Sequence, residues 1–214
     1  MTASRAYRGV PADQRRAQRR STLIETVLDR LRADGIAGVS VRSICARACL
    51  TPRYFYESFA DLDQLLVAAV DTVVDEVAQR ALAALQAAPA ELAAQVRAAI
   101  DAGYGVVATD PRKASALLVA ASGHGPLRAR RQKLVTDYAD LIIDGLPLLH
   151  ALDLQQRRSA RAAALFVMGG AADVIEAVLS GRLRMTRTQL VDHLTEMWLA
   201  VLSAIAAPRV SGRH

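Results

Sequence analysis

The sequence predicts an all-α protein in two parts: an N-terminal three-helix domain built around a helix-turn-helix, then a larger helical domain. Three observations predict it. Apolar residues recur at helical spacing along most of the chain, with alanine and leucine abundant and most glycines and prolines at breaks between patterns. Residues 40–66, SVRSICARACLTPRYFYESFADLDQLL, hold two short helical patterns either side of a tight break at Cys49-Leu50-Thr51. The excess positive charge also lies at one end. Residues 1–59 carry eleven arginines against five acidic residues, a surplus equal to the +6 net charge of the 214-residue chain.

The elements follow from their punctuation. A first helix runs from about Asp13 to Asp34, with Leu23, Ile24, Val27, Leu28 and Leu31 as its apolar stripe and Gly35 ending it. Val41 to Ala48 forms a second, buried through Val41, Ile44, Cys45 and Ala48. Thr51-Pro52 opens a third, a side-chain cap followed by a proline whose missing N–H costs nothing. It turns Phe55 and Phe59 inward and leaves Arg53, Tyr54 and Tyr56 on other faces. Asp61, with Gln64 three residues on, caps a long connector helix reaching toward Leu85. Pro89 begins the next helix, and Asp110-Pro111 caps another. A loop at 122–126 precedes a helix to about Leu149. Asp153 caps a helix to Ser180, Gly181 breaks it, and Thr186 with Gln189 opens the last, ending near Ala206. The expected domains are 13–60 and 61–207, with 1–12 and 208–214 disordered.

Two short helices joined by a tight turn, the second exposing basic and aromatic side chains, are the layout of a reader of the DNA major groove. The clustered arginines supply the matching charge, because phosphate neutralisation provides most non-specific DNA affinity. Taken alone, Arg15, Arg16, Arg19 and Arg20 read first as a solvated basic run; the neighbouring helix-turn-helix pattern reverses that balance. The expected DNA-binding residues are Ser40, Arg42, Thr51, Arg53, Tyr54 and Tyr56. Arg53 and Tyr54 open the second helix, where side chains reach base edges; Ser40 and Thr51 are caps first.

From about Gln18 to Leu66 the chain resembles the DNA-binding domain of TetR-family transcriptional regulators. The residues that carry the resemblance are Gly35, Ser40-Val41-Arg42-Ser43-Ile44-Cys45, Phe55-Tyr56-Glu57-Ser58-Phe59 and Asp61. Three positions depart from the family pattern. Cys49 stands where a turn glycine is usual, Cys45 where a small core alanine is usual, and Leu62 where a phosphate-contacting lysine is usual. The first bears on the turn geometry; the third removes one backbone contact. The resemblance implies that the Tyr56 hydroxyl meets the DNA backbone and that the last two helices form a homodimer interface. It further implies a repressor released from a palindromic operator by a small molecule that enters a helical cavity and moves the connector helix. A cytoplasmic location is expected on other grounds, two cysteines being no disulfide framework and neither a secretory signal nor a membrane run being read.

The expected interface residues are Leu165, Met168, Gly169, Ala172 and Ile175, with Leu194, Met197, Trp198 and Val201. Gly169-Gly170, followed by Asp173, suggests close helix approach, either within the chain or between two copies. The effector, expected to be apolar and weakly charged, would lie between about Asp71 and Leu149. Asp101, Tyr104, His124 and Tyr138 are its candidate polar anchors.

Other chemistry finds little support. No metal or cofactor is expected: the four histidines are scattered, and Cys45 with Cys49 reads as a pair of inert buried thiols ahead of a redox or metal site. No convergent acid, base or nucleophile argues for an enzyme. No run of about 18 apolar residues argues for a membrane span, and no apolar core follows the basic N-terminus as in a secretory signal. The rival reading is a helical small-molecule sequestering protein that binds nucleic acid weakly and without sequence choice.

Overall fold

The computed structural model of the protein describes residues 11–122, 125–145 and 153–206. Among these residues it is all helix and turn, with no strand. The chain divides into two compact units, one up to Ala69 and one from Val70 onward. The boundary falls inside the connector helix, because Leu65, Leu66 and Ala69 at its start are buried with the first unit.

In the first unit α1 spans Ala12–Asp34 and buries Leu23, Val27, Leu28 and Leu31 as the stripe requires. Gly35 ends it at φ 63°, in the left-handed region that glycine enters freely. A short 3-10 turn, Ile36–Gly38, leads to α2, Val41–Arg47, and then to α3, Pro52–Tyr56. The core is closed by Ile44, Cys45, Phe55 and Phe59. The connector α4, Leu62–Ala87, starts where Gln64 N–H donates to the Asp61 carboxylate at 2.7 Å. Gln64 reaches back one residue beyond the expected box, accepting from Ala60 N–H at 2.7 Å.

The second unit holds α5 (Leu92–Thr109), α6 (Pro111–Ala121), α7 (Gly125–Gly145), α8 (Leu154–Leu179) and α9 (Arg187–Ala206). Pro89 does not open α5. The chain makes a tight turn there, Glu91 N–H to Pro89 C=O at 2.7 Å, and the helix begins after Glu91. Gly125 and Pro126, expected in a loop, form the first turn of α7, where proline needs no N–H partner. The expected end of that helix at Leu149 lies outside the described residues. Caps at Asp110 and Asp153 and the Thr186–Gln189 box are formed, and Gly181 turns the chain at φ 76°. α8 packs against α7, α6 and α9, and α5 packs against α9 and α6.

Of the described helices, α8 alone is long and apolar enough to cross a membrane by length and composition. Ala160, Ala164 and Val167 are buried in the unit, so part of that apolar character is core packing. The remainder, with Phe166 78% exposed, stays at the surface.

Candidate nucleic-acid interface

The turn between α2 and α3 is set by backbone bonds. Leu50 N–H donates to Cys45 C=O at 3.0 Å and Cys49 N–H to Ala46 C=O at 3.4 Å, the paired closure of a Schellman motif. Such a motif places its residue after the cap in left-handed backbone, and Cys49 sits there at φ 54°. It is the one non-glycine with positive φ among the described residues. The usual glycine geometry is therefore kept, with a cysteine made to adopt it. Cys49 is exposed, contrary to the expectation of two buried thiols; Cys45 is buried, which pushes its thiol pKa up.

Each expected DNA-binding residue has a definite place. Ser40 accepts from Ser43 N–H at 3.1 Å, and Ser43 Oγ accepts from Ser40 N–H at 3.0 Å, a reciprocal capping box for α2. Thr51 departs from expectation. It occupies the N-cap of α3, yet its hydroxyl makes no capping bond; Tyr54 and Phe55 N–H donate to its backbone carbonyl instead. Arg42 is exposed at the start of α2. Arg53 exposes 85% of its side chain and is steadied by the Glu57 carboxylate at 3.1 Å. Tyr56 is 60% exposed, its ring edge-on to buried Phe55. Phe55 and Phe59 are core, as expected.

The sequence reading missed the use made of the α1 arginines. Arg16 donates to the Glu57 carbonyl at 2.7 Å and Arg20 to the Ser58 carbonyl at 3.1 Å. Arg19 reaches the Glu57 carboxylate at 3.4 Å and stacks over the Tyr54 ring, while Arg20 stacks over Phe59. Carbonyls at a helix C-terminus lack intrahelical partners and carry partial negative charge, so cations there satisfy both needs. Three of the four arginines thus brace α3, Arg16 and Arg20 at its C-terminal carbonyls and Arg19 across the Tyr54 ring, and leave Arg53 facing out.

In the second unit the candidate ligand residues separate. Asp101 is tied to α9, accepting from Arg187 Nε at 2.7 Å, and Tyr104 stands beside this pair. His124 lies outside the described residues. Tyr138 does line a cavity, of ≈180 Å³, between α4, α6, α7 and α8. Met168, Ala172 and Ile175, expected at a dimer interface, line the same cavity, and Leu194 is buried within the unit. One apolar stripe on α8 cannot reveal which of several neighbours covers it. Leu165, Trp198 and Val201 are half-buried, and Met197 is 54% exposed. The outward strip runs through Phe166, Gly170 and Asp173 on α8 and His193, Met197 and Ala200 on α9. A Cβ built on Gly169 or Gly170 would meet no atom within 4 Å, so no helix of the described chain approaches the glycine pair closely. No group of three or more metal-ligating side chains occurs among the described residues.

No protein-family model and no curated protein matches the chain. Solved structures do. A protein of Pseudomonas aeruginosa PAO1 assigned as a transcriptional regulator superposes with a TM-score of 0.68 at 23% identity, covering 88% of this chain and 91% of that one. A TetR-family transcriptional regulator from Streptomyces coelicolor gives 0.66 at 21% identity, covering 89% and 82%. The fatty acid degradation regulator FadR from Bacillus halodurans gives 0.66 at 14% identity, covering 84% and 97%. With the helix-turn-helix in the first unit and the helical second unit, these likenesses show that the chain has the fold of TetR-family transcriptional regulators.

Proposed function

We propose that the protein is a sequence-specific DNA-binding transcriptional regulator, a homodimeric repressor released from its operator by a small molecule. The observation that carries this reading is the exposure of Arg42, Arg53, Tyr54 and Tyr56 on a helix-turn-helix whose second helix is braced from α1. Arg53 and Tyr54, in the first turn of α3, meet base edges, where arginine is the commonest guanine reader. Arg42, Tyr56 and Ser40 meet the phosphate backbone and fix the register.

A second copy covers the outward strip of α8 and α9. Its apolar members and the uncrowded glycine pair support close approach by another helix. The twofold axis of such a dimer sets two reading helices against half-sites about 34–36 Å apart.

The effector occupies the cavity of the second unit. Val70 and Val74 of α4 form part of its wall, and α4 is continuous with the first unit. A ligand that prefers one placement of α4 changes DNA affinity by its differential binding to the two states. Selection of duplexes from a random DNA pool tests the reading: a palindrome is expected, whereas retention governed by charge alone, blind to sequence, removes it.

A further inference from the structure

We infer that the cavity of the second unit takes a neutral single-ring molecule, an arene or phenol, and turns away long-chain and charged ligands. The inference rests on the reading of that unit as the effector-binding one, and deepens it by naming the ligand class.

Size is the first constraint. An engineered apolar cavity of about 150 Å³ binds benzene. The cavity is partly open, and its ≈180 Å³ holds one ring with one or two small substituents, so most of a long chain would run out into solvent unburied. The wall is the second. Val74, Leu118, Leu134, Met168 and Ile175 give it an almost wholly hydrocarbon surface, and a methionine sulfur makes favourable contacts at ring edges.

Charge is the third. Arg131 and Glu176 reach the wall, but both are already paired, Arg131 with Asp173 and Glu176 with Arg182 at 2.6 Å. A charged ligand would be desolvated there without a free counter-charge. Tyr138 is the uncommitted polar group. The described residues give its hydroxyl no hydrogen-bond partner. Burial first, then the Asp75 carboxylate, push its pKa up, so it remains a donor at neutral pH. Tyr138 lines the cavity, and its hydroxyl is the donor from which a bound phenol oxygen would accept.

Binding to the full chain is measured by calorimetry and thermal shift with toluene, p-cresol, benzoate and 1-decanol. Toluene and p-cresol are expected to bind saturably and raise the unfolding temperature, and benzoate and 1-decanol to do neither. Ala172→Phe fills the cavity and removes both responses. Tyr138→Phe weakens p-cresol about three- to tenfold and leaves toluene unchanged, a split that a merely loosened fold would not produce. Preference for 1-decanol or benzoate, or no arene binding to the wild-type chain, overturns the inference. Release of bound DNA by p-cresol is followed separately. Ring binding without release upholds the ligand class and removes the effector reading.

Discussion

The Arg19 guanidinium lies 4.5 Å from the centre of the Tyr54 ring while its Nη2 reaches the Glu57 carboxylate at 3.4 Å, so one α1 side chain holds the middle of α3 and its C-cap together. An exposed cation–π contact contributes roughly 0.5–1 kcal/mol and a surface ion pair about 0–1 kcal/mol. Arg19→Ala is expected to weaken operator binding by roughly tenfold while leaving helix content by circular dichroism unchanged. Lys at this position should restore part of the loss, since it keeps the charge and gives up the planar stack.

Arg53 is held by Glu57 but remains open to a base. Arg53→Ala is expected to cost about 1–3 kcal/mol at one base step and to leave the other steps unaltered. Fluorescence anisotropy against a panel of operator variants reads this out, and equal losses on every variant would make Arg53 a phosphate contact instead.

Cys49 occupies left-handed backbone that costs a non-glycine residue roughly 1–2 kcal/mol. Cys49→Gly is expected to stabilise the first unit by about 1 kcal/mol after the unfolded-chain entropy of glycine is subtracted. Cys49→Val, β-branched, is expected to destabilise it. Urea unfolding of the three proteins side by side checks the order.

Asp110 caps α6, and hydrogen bonding from Arg112 holds its carboxyl below the ordinary carboxylate value. The unfolded chain therefore binds the proton more readily, and the cap's contribution is present above about pH 4. It disappears as pH falls through the depressed folded value. Asp110→Asn keeps a cap and is expected to flatten this acid limb; Asp110→Ala should cost about 1 kcal/mol at neutral pH. Trp198, the chain's one tryptophan and part of the same unit, reports the unfolding.

Gly170 meets nothing within 4 Å of a built Cβ. Gly170→Ala should stabilise α8 by about 1 kcal/mol in a single chain and weaken self-association if a second copy packs on that face. Sedimentation equilibrium separates the two effects. Unchanged association for both Gly170→Ala and Met197→Glu would move the interface elsewhere.

The caps were legible in the sequence because they are local. Ser40, Asp110, Asp153 and Thr186 each signal a helix start within three residues, and the structure closes each bond. The brace on α3 was not legible, because Arg20 and Ser58 lie 38 residues apart and a basic run on α1 reads the same whether it faces water, phosphate or a helix end. The stripe on α8 was ambiguous for a related reason. Periodicity shows that Met168, Ala172 and Ile175 share a face, but not that α6 and α7 enclose it. Thr51 shows the limit of residue-type rules: the right residue at the right position leaves its hydroxyl out of the cap.

Cleavage of DNA from Cys49 tests the central claim most directly, because this exposed thiol stands in the turn just ahead of α3 while Cys45 is buried. An iron chelate attached there should cut a selected operator at two clusters of sites, symmetric about the palindrome and about 34–36 Å apart. Diffuse cutting along the duplex, or none while the labelled protein remains bound, would contradict a reading head built on α3.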